Sequence, residues 1–189
     1  GGSVHVQSAT AQTHLAFGLW APVESAPESL RHRLAVRIFG GDTSSRLFTE
    51  VREKRGLCYS VGSSATLGRD FGITSIYAGS THERARQTLG QIRAEIRRLA
   101  DGVTPDEFAR AVVGFKSHLV MQGESMSARA SAMAADIVRV GRPRSLKDLA
   151  AEVDAVDFES LNAYVRGPMA DRWSKAETLA VVGPQPLDP

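Results

Sequence analysis

Apolar residues alternate with small or polar ones in three parts of the chain, which is the pattern of half-buried β-strands. It predicts strands over residues 12–20, 59–67 and 71–79. The last two are joined by Gly68-Arg69-Asp70, a composition typical of a hairpin turn. A fourth apolar run, residues 179–182, precedes Gly183-Pro184 and predicts a final buried strand.

Between the strands, apolar residues recur three and four positions apart, as on one face of a helix. Thr104-Pro105-Asp106-Glu107 combines an N-cap, a proline at the first helical position and a capping glutamate. Ser80 and Glu83 form a second candidate capping box, and Gly102 and Gly141 are candidate C-caps. Helices are expected over residues 29–39, from 43 or 44 to 54, 85–99, 104–119, 126–140, 145–153 and 157–165.

The resulting order of elements predicts an α+β fold, an antiparallel or mixed sheet with helices packed on one face. We expect one domain over residues 4–189. Gly1-Gly2-Ser3 is typical of a cloning scar, so the native N-terminus and any leader it carried are expected to be missing.

Composition narrows the function classes. The chain is 42% hydrophobic, which is enough for a substantial core, and no apolar run reaches the roughly 18–20 residues of a membrane span. The 23 basic and 21 acidic residues are interleaved, which disfavours nucleic-acid binding, although a basic nucleic-acid-binding module stays open as an alternative. Cys58 is the only cysteine, which excludes an intrachain disulfide and fits a reducing compartment.

Familiar catalytic motifs are missing. None of the five histidines forms HxxEH or its inverse, so no metal ligands are assigned to this chain. No GxSxG elbow occurs, and Gly40-Gly41-Asp42 opens a helix without a phosphate-binding lysine. Cys58 is interpreted as a small strand residue rather than a nucleophile.

Arg52 and Tyr59 are the remaining candidates. They lie seven positions apart where a predicted helix passes into a predicted strand. A guanidinium and a phenol placed there can both donate hydrogen bonds to one bound backbone. A surface arginine and an edge-strand tyrosine without a shared role explain the same pattern.

The segment GGDTSSRLFTEVREKRGLCYSV, residues 40–61, resembles the signature of the insulinase-like M16 zinc peptidases. More narrowly, it is similar to the C-terminal, non-zinc half of bacterial and mitochondrial-processing-type members. The flanks Gln12-Thr13-His14-Leu15 and Val181-Val182-Gly183-Pro184 agree with this, so the resemblance covers most of the chain. Asp42 and Cys58 depart from the family's usual glycine and alanine, and Cys58 suggests sensitivity to thiol reagents.

The resemblance implies a clamshell of two similar halves. Zinc and the general base belong to an N-terminal HxxEH-bearing half or subunit, whereas Arg52 and Tyr59 bind the substrate peptide backbone, with the tyrosine near the scissile carbonyl. This chain is then a zinc-free half of a metallopeptidase, inactive alone and located in the bacterial cytoplasm. The family also contains non-catalytic members, so a structural or scaffolding homologue stays open as the main alternative.

Overall fold

Five strands form one mixed sheet in the computed structural model, which describes residues 1–187. They are β1 (Gly2–Gln7), β2 (Thr13–Trp20), β3 (Ser60–Leu67), β4 (Gly72–Ser80) and β5 (Glu177–Gly183). Their spatial order is β1-β5-β2-β4-β3. β1 and β5 are parallel, and the other neighbours are antiparallel.

Helices make up most of the remaining chain, so the predicted α+β class is confirmed. The α-helices are α1 (Ser29–Gly40), α2 (His82–Arg98), α3 (Pro105–Gly123), α4 (Met126–Val140), α5 (Leu146–Asp154), α6 (Phe158–Tyr164) and α7 (Ala170–Lys175). Two segments, Phe48–Glu53 and Val165–Met169, are π-helical, and Leu99–Asp101 is a turn of 3₁₀-helix.

The core lies between one face of the sheet and the helices. Leu15, Phe17 and Leu19 of β2 point into it and are at most 3% exposed. The predicted apolar stripe of the long helix α2, which includes Leu89 and Ile92, is also buried. Strand alternation and helical spacing therefore converge on one core, as their periods predict.

The opposite face of the sheet is open. Its most exposed large side chains, at 39–54%, are Val4, Val6, Ile73 and Tyr77. Between them the face carries mostly small residues, so it is comparatively flat.

A polar network sits inside the core. His32 is fully buried, with Nδ1 2.7 Å from the Tyr164 hydroxyl and Nε2 2.7 Å from the Thr74 hydroxyl. Burial, aided by the nearby charge of Arg33, lowers the pKa of His32 to about 3. The imidazole is therefore neutral at physiological pH and links α1, α6 and β4.

Several local expectations need correction. The predicted capping box of Ser80 and Glu83 is wrong, because Thr81 is the N-cap of α2 and the buried Ser80 hydroxyl donates to the Leu57 carbonyl at 2.6 Å. The expected box at Thr104 is confirmed, with both reciprocal hydrogen bonds to Glu107.

Two further differences concern the ends and the surface. β1 was not predicted, and Gly2 and Ser3 of the expected scar form its beginning. α4 occurs as predicted, but its apolar stripe is exposed, with Met126 at 81% and Ile137 at 55%. Asp188 and Pro189, at the end of the expected domain, lie outside the described residues.

Candidate functional site

The segment of residues 40–61, called here the signature segment, begins with a tight turn at Asp42. Its carboxylate accepts hydrogen bonds from the Ser44 backbone N–H at 2.9 Å and the Ser44 hydroxyl at 2.7 Å. The Ser45 hydroxyl donates to the Asp42 carbonyl at 2.6 Å. These are local capping bonds, which stabilise the start of the helical turn that follows. Asp42 thus serves the turn.

Arg46 anchors the base of the signature segment. Its guanidinium donates to both carboxylate oxygens of Glu107, at 2.7 and 2.8 Å, and to the Gly102 carbonyl at 2.7 Å. Burial raises the pKa of Glu107, but hydrogen bonds from Arg46 and Thr104 outweigh burial and leave that pKa lowered. The ion pair therefore fixes the segment to the start of α3. Sequence reasoning missed this role.

The helix predicted from residue 43 or 44 to 54 is shorter and mostly π-helical, because residues 42–45 form a turn, only residues 46 and 47 are α-helical, and Phe48–Glu53 is π-helical. The Lys54 N–H donates to the Thr49 carbonyl, five residues back, at 3.0 Å. Val51 is fully buried on the inner side of this segment, and Arg52 is exposed on the outer side. Such π-helical turns are often found at functional sites.

Gly56 turns the chain from helix to strand. Its φ of 60° lies in the left-handed region, which glycine adopts without strain. Its N–H donates to the Arg52 carbonyl and the Leu57 N–H donates to the Val51 carbonyl, each at 3.0 Å. These bonds hold the backbone of Gly56 and Leu57 against the end of the helical segment. They thereby restrain the turn that separates Arg52 from Tyr59.

Tyr59 lies directly before β3. Its N–H donates to the Gly79 carbonyl at 2.8 Å, and its side chain is 61% exposed. The guanidinium of Arg52 lies 4.6 Å from the centroid of the Phe48 ring, a cation–π contact. Among residues 1–187, neither the Arg52 guanidinium nor the Tyr59 hydroxyl has a hydrogen-bonding or ion-pair partner. Both groups are free to bind something else.

Cys58 lies between the buried Leu57 and the exposed Tyr59. Burial raises the pKa of its thiol, although the positive charge of Arg52 opposes this. A buried thiol with a raised pKa is a poor nucleophile, which supports the interpretation of Cys58 as a packing residue rather than a reactive one.

Metal ligands do not converge in the part of the chain that the structure describes. No group of three or more His, Cys, Asp or Glu side chains there is arranged to hold a metal ion. None of the helices within residues 1–187 combines the length and the apolar content that a transmembrane segment needs.

Comparisons with known proteins identify the family. Residues 1–114 match the family model described as the peptidase M16 inactive domain. An uncharacterized zinc protease of Mycobacterium bovis is 33% identical over 178 residues, which cover 92% of this chain and 39% of that protein.

Solved structures share the fold. The peptidase M16 inactive domain from Pseudomonas fluorescens superposes with a TM-score of 0.80 at 23% identity, covering all of this chain and 45% of that one. A chain of complex III2 from Candida albicans gives a TM-score of 0.82 at 20% identity, covering 96% and 45%. This chain spans less than half the length of each of these proteins.

The family match, the zinc-protease relative and the shared fold agree with the non-zinc half that the signature segment resembles, and they place this chain in the peptidase M16 family as an inactive domain.

Proposed function

We propose that this chain is the substrate-positioning half of a zinc-dependent M16 peptidase. The observation that carries the proposal is the state of Arg52 and Tyr59. Both are exposed at the junction of the π-helical segment with β3. Apart from the stacking of the Arg52 guanidinium on the Phe48 ring, neither polar group has a partner among the described residues. An arginine and a tyrosine held at this junction without internal hydrogen bonds or ion pairs suit the binding of a ligand better than they suit stabilising the domain.

The chemistry of the two groups matches a peptide backbone. The phenol O–H of Tyr59 donates to the carbonyl oxygen of the scissile bond and binds it more strongly as negative charge develops there. The planar guanidinium of Arg52 presents several N–H donors to backbone carbonyls further along the peptide. One preorganised donor of this kind contributes about 2.7–4 kcal/mol to transition-state stabilisation.

Zinc and the general base are assigned to a partner half. The described side chains of this chain do not fit a metal ion. When bound in the partner, zinc supplies an activated water. The relatives named above are more than twice as long as the matched region, which supports a second half, either in the same polypeptide or in a separate subunit. Enclosure of the peptide between the two halves is part of the proposal.

Reconstitution tests this division of labour. This chain and its natural HxxEH-bearing half are purified separately, then mixed and assayed on a library of internally quenched fluorescent peptides. We expect each half alone to be inactive and the mixture to cleave. Cleavage by this chain alone refutes the assignment of the catalytic machinery to the partner. A stable, zinc-loaded mixture that cleaves nothing supports the scaffolding alternative instead.

A further inference from the structure

The helix α4 presents its large apolar residues to solvent rather than to the core. Of its 15 residues, all of which the structure describes, Asp136 alone is buried. Met126, Met133 and Ile137 are 81%, 45% and 55% exposed. Together with the exposed Ala130 they recur four and three positions apart, so they form one continuous stripe, here the α4 stripe. A helix of this length is marginal in water unless an apolar face is packed, and this face is uncovered in the described chain.

Ion pairs on another side of α4 fix its orientation. The Arg144 guanidinium donates to the Asp136 carboxylate at 2.7 Å and to the Glu24 carboxylate at 2.8 Å. The Asp136 and Glu24 side chains are only 10% and 4% exposed. Successive helical residues lie about 100° apart, so Asp136 and Ile137 point in different directions. Holding Asp136 inside therefore holds the α4 stripe outside.

Small residues line the inner side of α4. Ala128 and Ala132 face a groove of about 500 Å³, whose other walls include Leu30, Phe115 and Leu119. The large side chains that could fill this groove lie roughly opposite on the helix, in the α4 stripe. Turning α4 to bury the stripe there would break the ion pairs. The domain's own core therefore does not use the stripe, and an uncovered apolar stripe of this kind marks an interaction surface.

Charges beside the α4 stripe indicate what packs on it. Besides Asp136, the ionisable residues of α4 are Arg129 and Arg139, and within residues 1–187 neither has an ion-pair partner. Both lie on the same flank of the stripe, so an antiparallel second copy of this chain would bring like charges together. A membrane surface fits poorly, because α4 has no aromatic residue and consists largely of alanine and serine. A helix with an apolar stripe and an acidic flank is complementary in both respects.

We propose that the α4 stripe is the docking surface for a helix of the zinc-bearing half, and that this helix carries an apolar stripe flanked by aspartate or glutamate. The proposed function, on which this inference rests, requires the two halves to associate. The relatives named above are more than twice as long as the matched region, which leaves a second half of similar size to supply the helix. The stripe extends over about 17 Å, or three helical turns, which suits one packed helix.

Met126→Glu tests the docking surface in titrations of this chain with the natural HxxEH-bearing half, with Kd measured by calorimetry. We expect Kd to rise at least about tenfold, because the new carboxylate is desolvated in the interface and lies near acidic residues. Ser127→Glu is the matched control. It adds the same charge at the next exposed position, about 100° away from the stripe, and Kd is expected to stay within about threefold. Glutamate suits the first turn of a helix, so both variants should fold like the wild-type chain.

Ile137→Glu and Arg129→Glu give independent readings. Ile137→Glu is expected to weaken binding as Met126→Glu does, and unchanged Kd in both variants overturns the inference. Arg129→Glu reverses the charge of the flank, and we expect Kd to rise about three- to tenfold at low salt, with a smaller difference at about 0.5 M NaCl. Unchanged or tighter binding by Arg129→Glu contradicts the acidic partner helix.

Two measurements on this chain alone distinguish other occupants. Analytical ultracentrifugation should show a monomer, and a dimer that Ile137→Glu dissociates shows instead that a second copy covers the stripe. Flotation with phosphatidylcholine–phosphatidylglycerol vesicles should show no binding, and binding that Ile137→Glu abolishes overturns the inference in favour of a membrane surface.

Failure of the inference can be told from failure of the proposed function. If the halves cleave peptides and the stripe variants bind and cleave normally, only the docking surface is refuted. If the halves bind through the stripe but the zinc-loaded complex cleaves nothing, the docking surface stands and the proposed function fails. If the wild-type halves do not bind each other, both are overturned.

Discussion

The guanidinium of Arg46 and the carboxylate of Glu107 form a two-pronged ion pair across 61 positions of sequence, with N–O distances of 2.7 and 2.8 Å. The side chains are 8% and 16% exposed. Glu107 also closes the capping box of α3. The start of the signature segment is thus fixed to the start of a helix, and the junction that presents Arg52 and Tyr59 is built on that fixed base.

Arg46→Met is expected to lower the free energy of unfolding by about 3 kcal/mol, because it leaves a largely buried carboxylate without its main partner. Urea denaturation at pH 7 measures this. Lys54→Ala is the matched control, since the Lys54–Glu50 pair is a surface pair with Lys54 60% exposed. It is expected to change the free energy by no more than about 0.5 kcal/mol. Equal effects of the two substitutions contradict the anchoring role of Arg46.

The buried His32 is expected to make stability depend on pH. Its folded pKa is about 3 against an ordinary 6.5, so below pH 6.5 the unfolded chain takes up a proton that the folded chain does not. The free energy of unfolding should then fall by about 1.4 kcal/mol per pH unit from 6.5 towards 3, and this contribution is complete above 6.5.

Comparison with His32→Gln isolates that contribution. The variant is expected to be less stable than the wild-type chain at pH 7, because glutamine does not reproduce both hydrogen bonds to Tyr164 and Thr74. The gap between the two should narrow by about 2 kcal/mol between pH 7 and pH 5. A gap that stays constant over this range shows that His32 is not kept neutral by burial.

Cys58 is expected to react slowly with thiol reagents in the folded chain. Its side chain is 8% exposed and burial raises the pKa of its thiol, so both access and the thiolate fraction are reduced. With Ellman's reagent at pH 8, we expect the folded protein to react more slowly than the same protein in 8 M urea, because burial limits access and disfavours the thiolate. A slow reaction would contradict the sensitivity to thiol reagents that the sequence suggests. Equal rates would instead indicate an accessible thiol beside Tyr59.

After dialysis against trace zinc, the isolated chain is expected to hold far less than one zinc ion per chain. The physical reason is that its described histidines and carboxylates do not converge in the number that a zinc site needs. Elemental analysis of protein without a histidine tag makes the measurement. One tightly held zinc ion per chain contradicts the placement of the metal in the partner half.

Local patterns were the part of this fold that the sequence predicted well. The Thr104 capping box is contained in four consecutive residues, and the apolar stripes of β2 and α2 need only a regular period. These features can therefore be predicted without tertiary information. The Ser80 prediction was wrong because a tertiary hydrogen bond to Leu57 takes the hydroxyl that the local pattern assigned to capping. β1 was missed because an exposed edge strand has no buried face to reveal it.

The candidate site, like the fold, could be predicted from the sequence only in part. Arg52 and Tyr59 became candidates from their spacing and received a role from a resemblance, and the structure adds that both are exposed and without hydrogen-bond or ion-pair partners among the described residues. The ion pair between Arg46 and Glu107 joins positions far apart in sequence. No periodicity or spacing encodes such contacts, so they become visible only in three dimensions.

The measurement that tests the central claim most directly is kcat/KM of Tyr59→Phe in the enzyme reconstituted with its zinc-bearing half. The substitution removes one hydroxyl that the fold does not use, so stability should be unchanged. The account predicts that kcat/KM falls about 100- to 1000-fold, the loss expected for one preorganised donor at the developing oxyanion. Arg69→Ala, in an exposed hairpin turn, serves as the control and should retain full activity. A kcat/KM of Tyr59→Phe within twofold of the wild-type value contradicts the account.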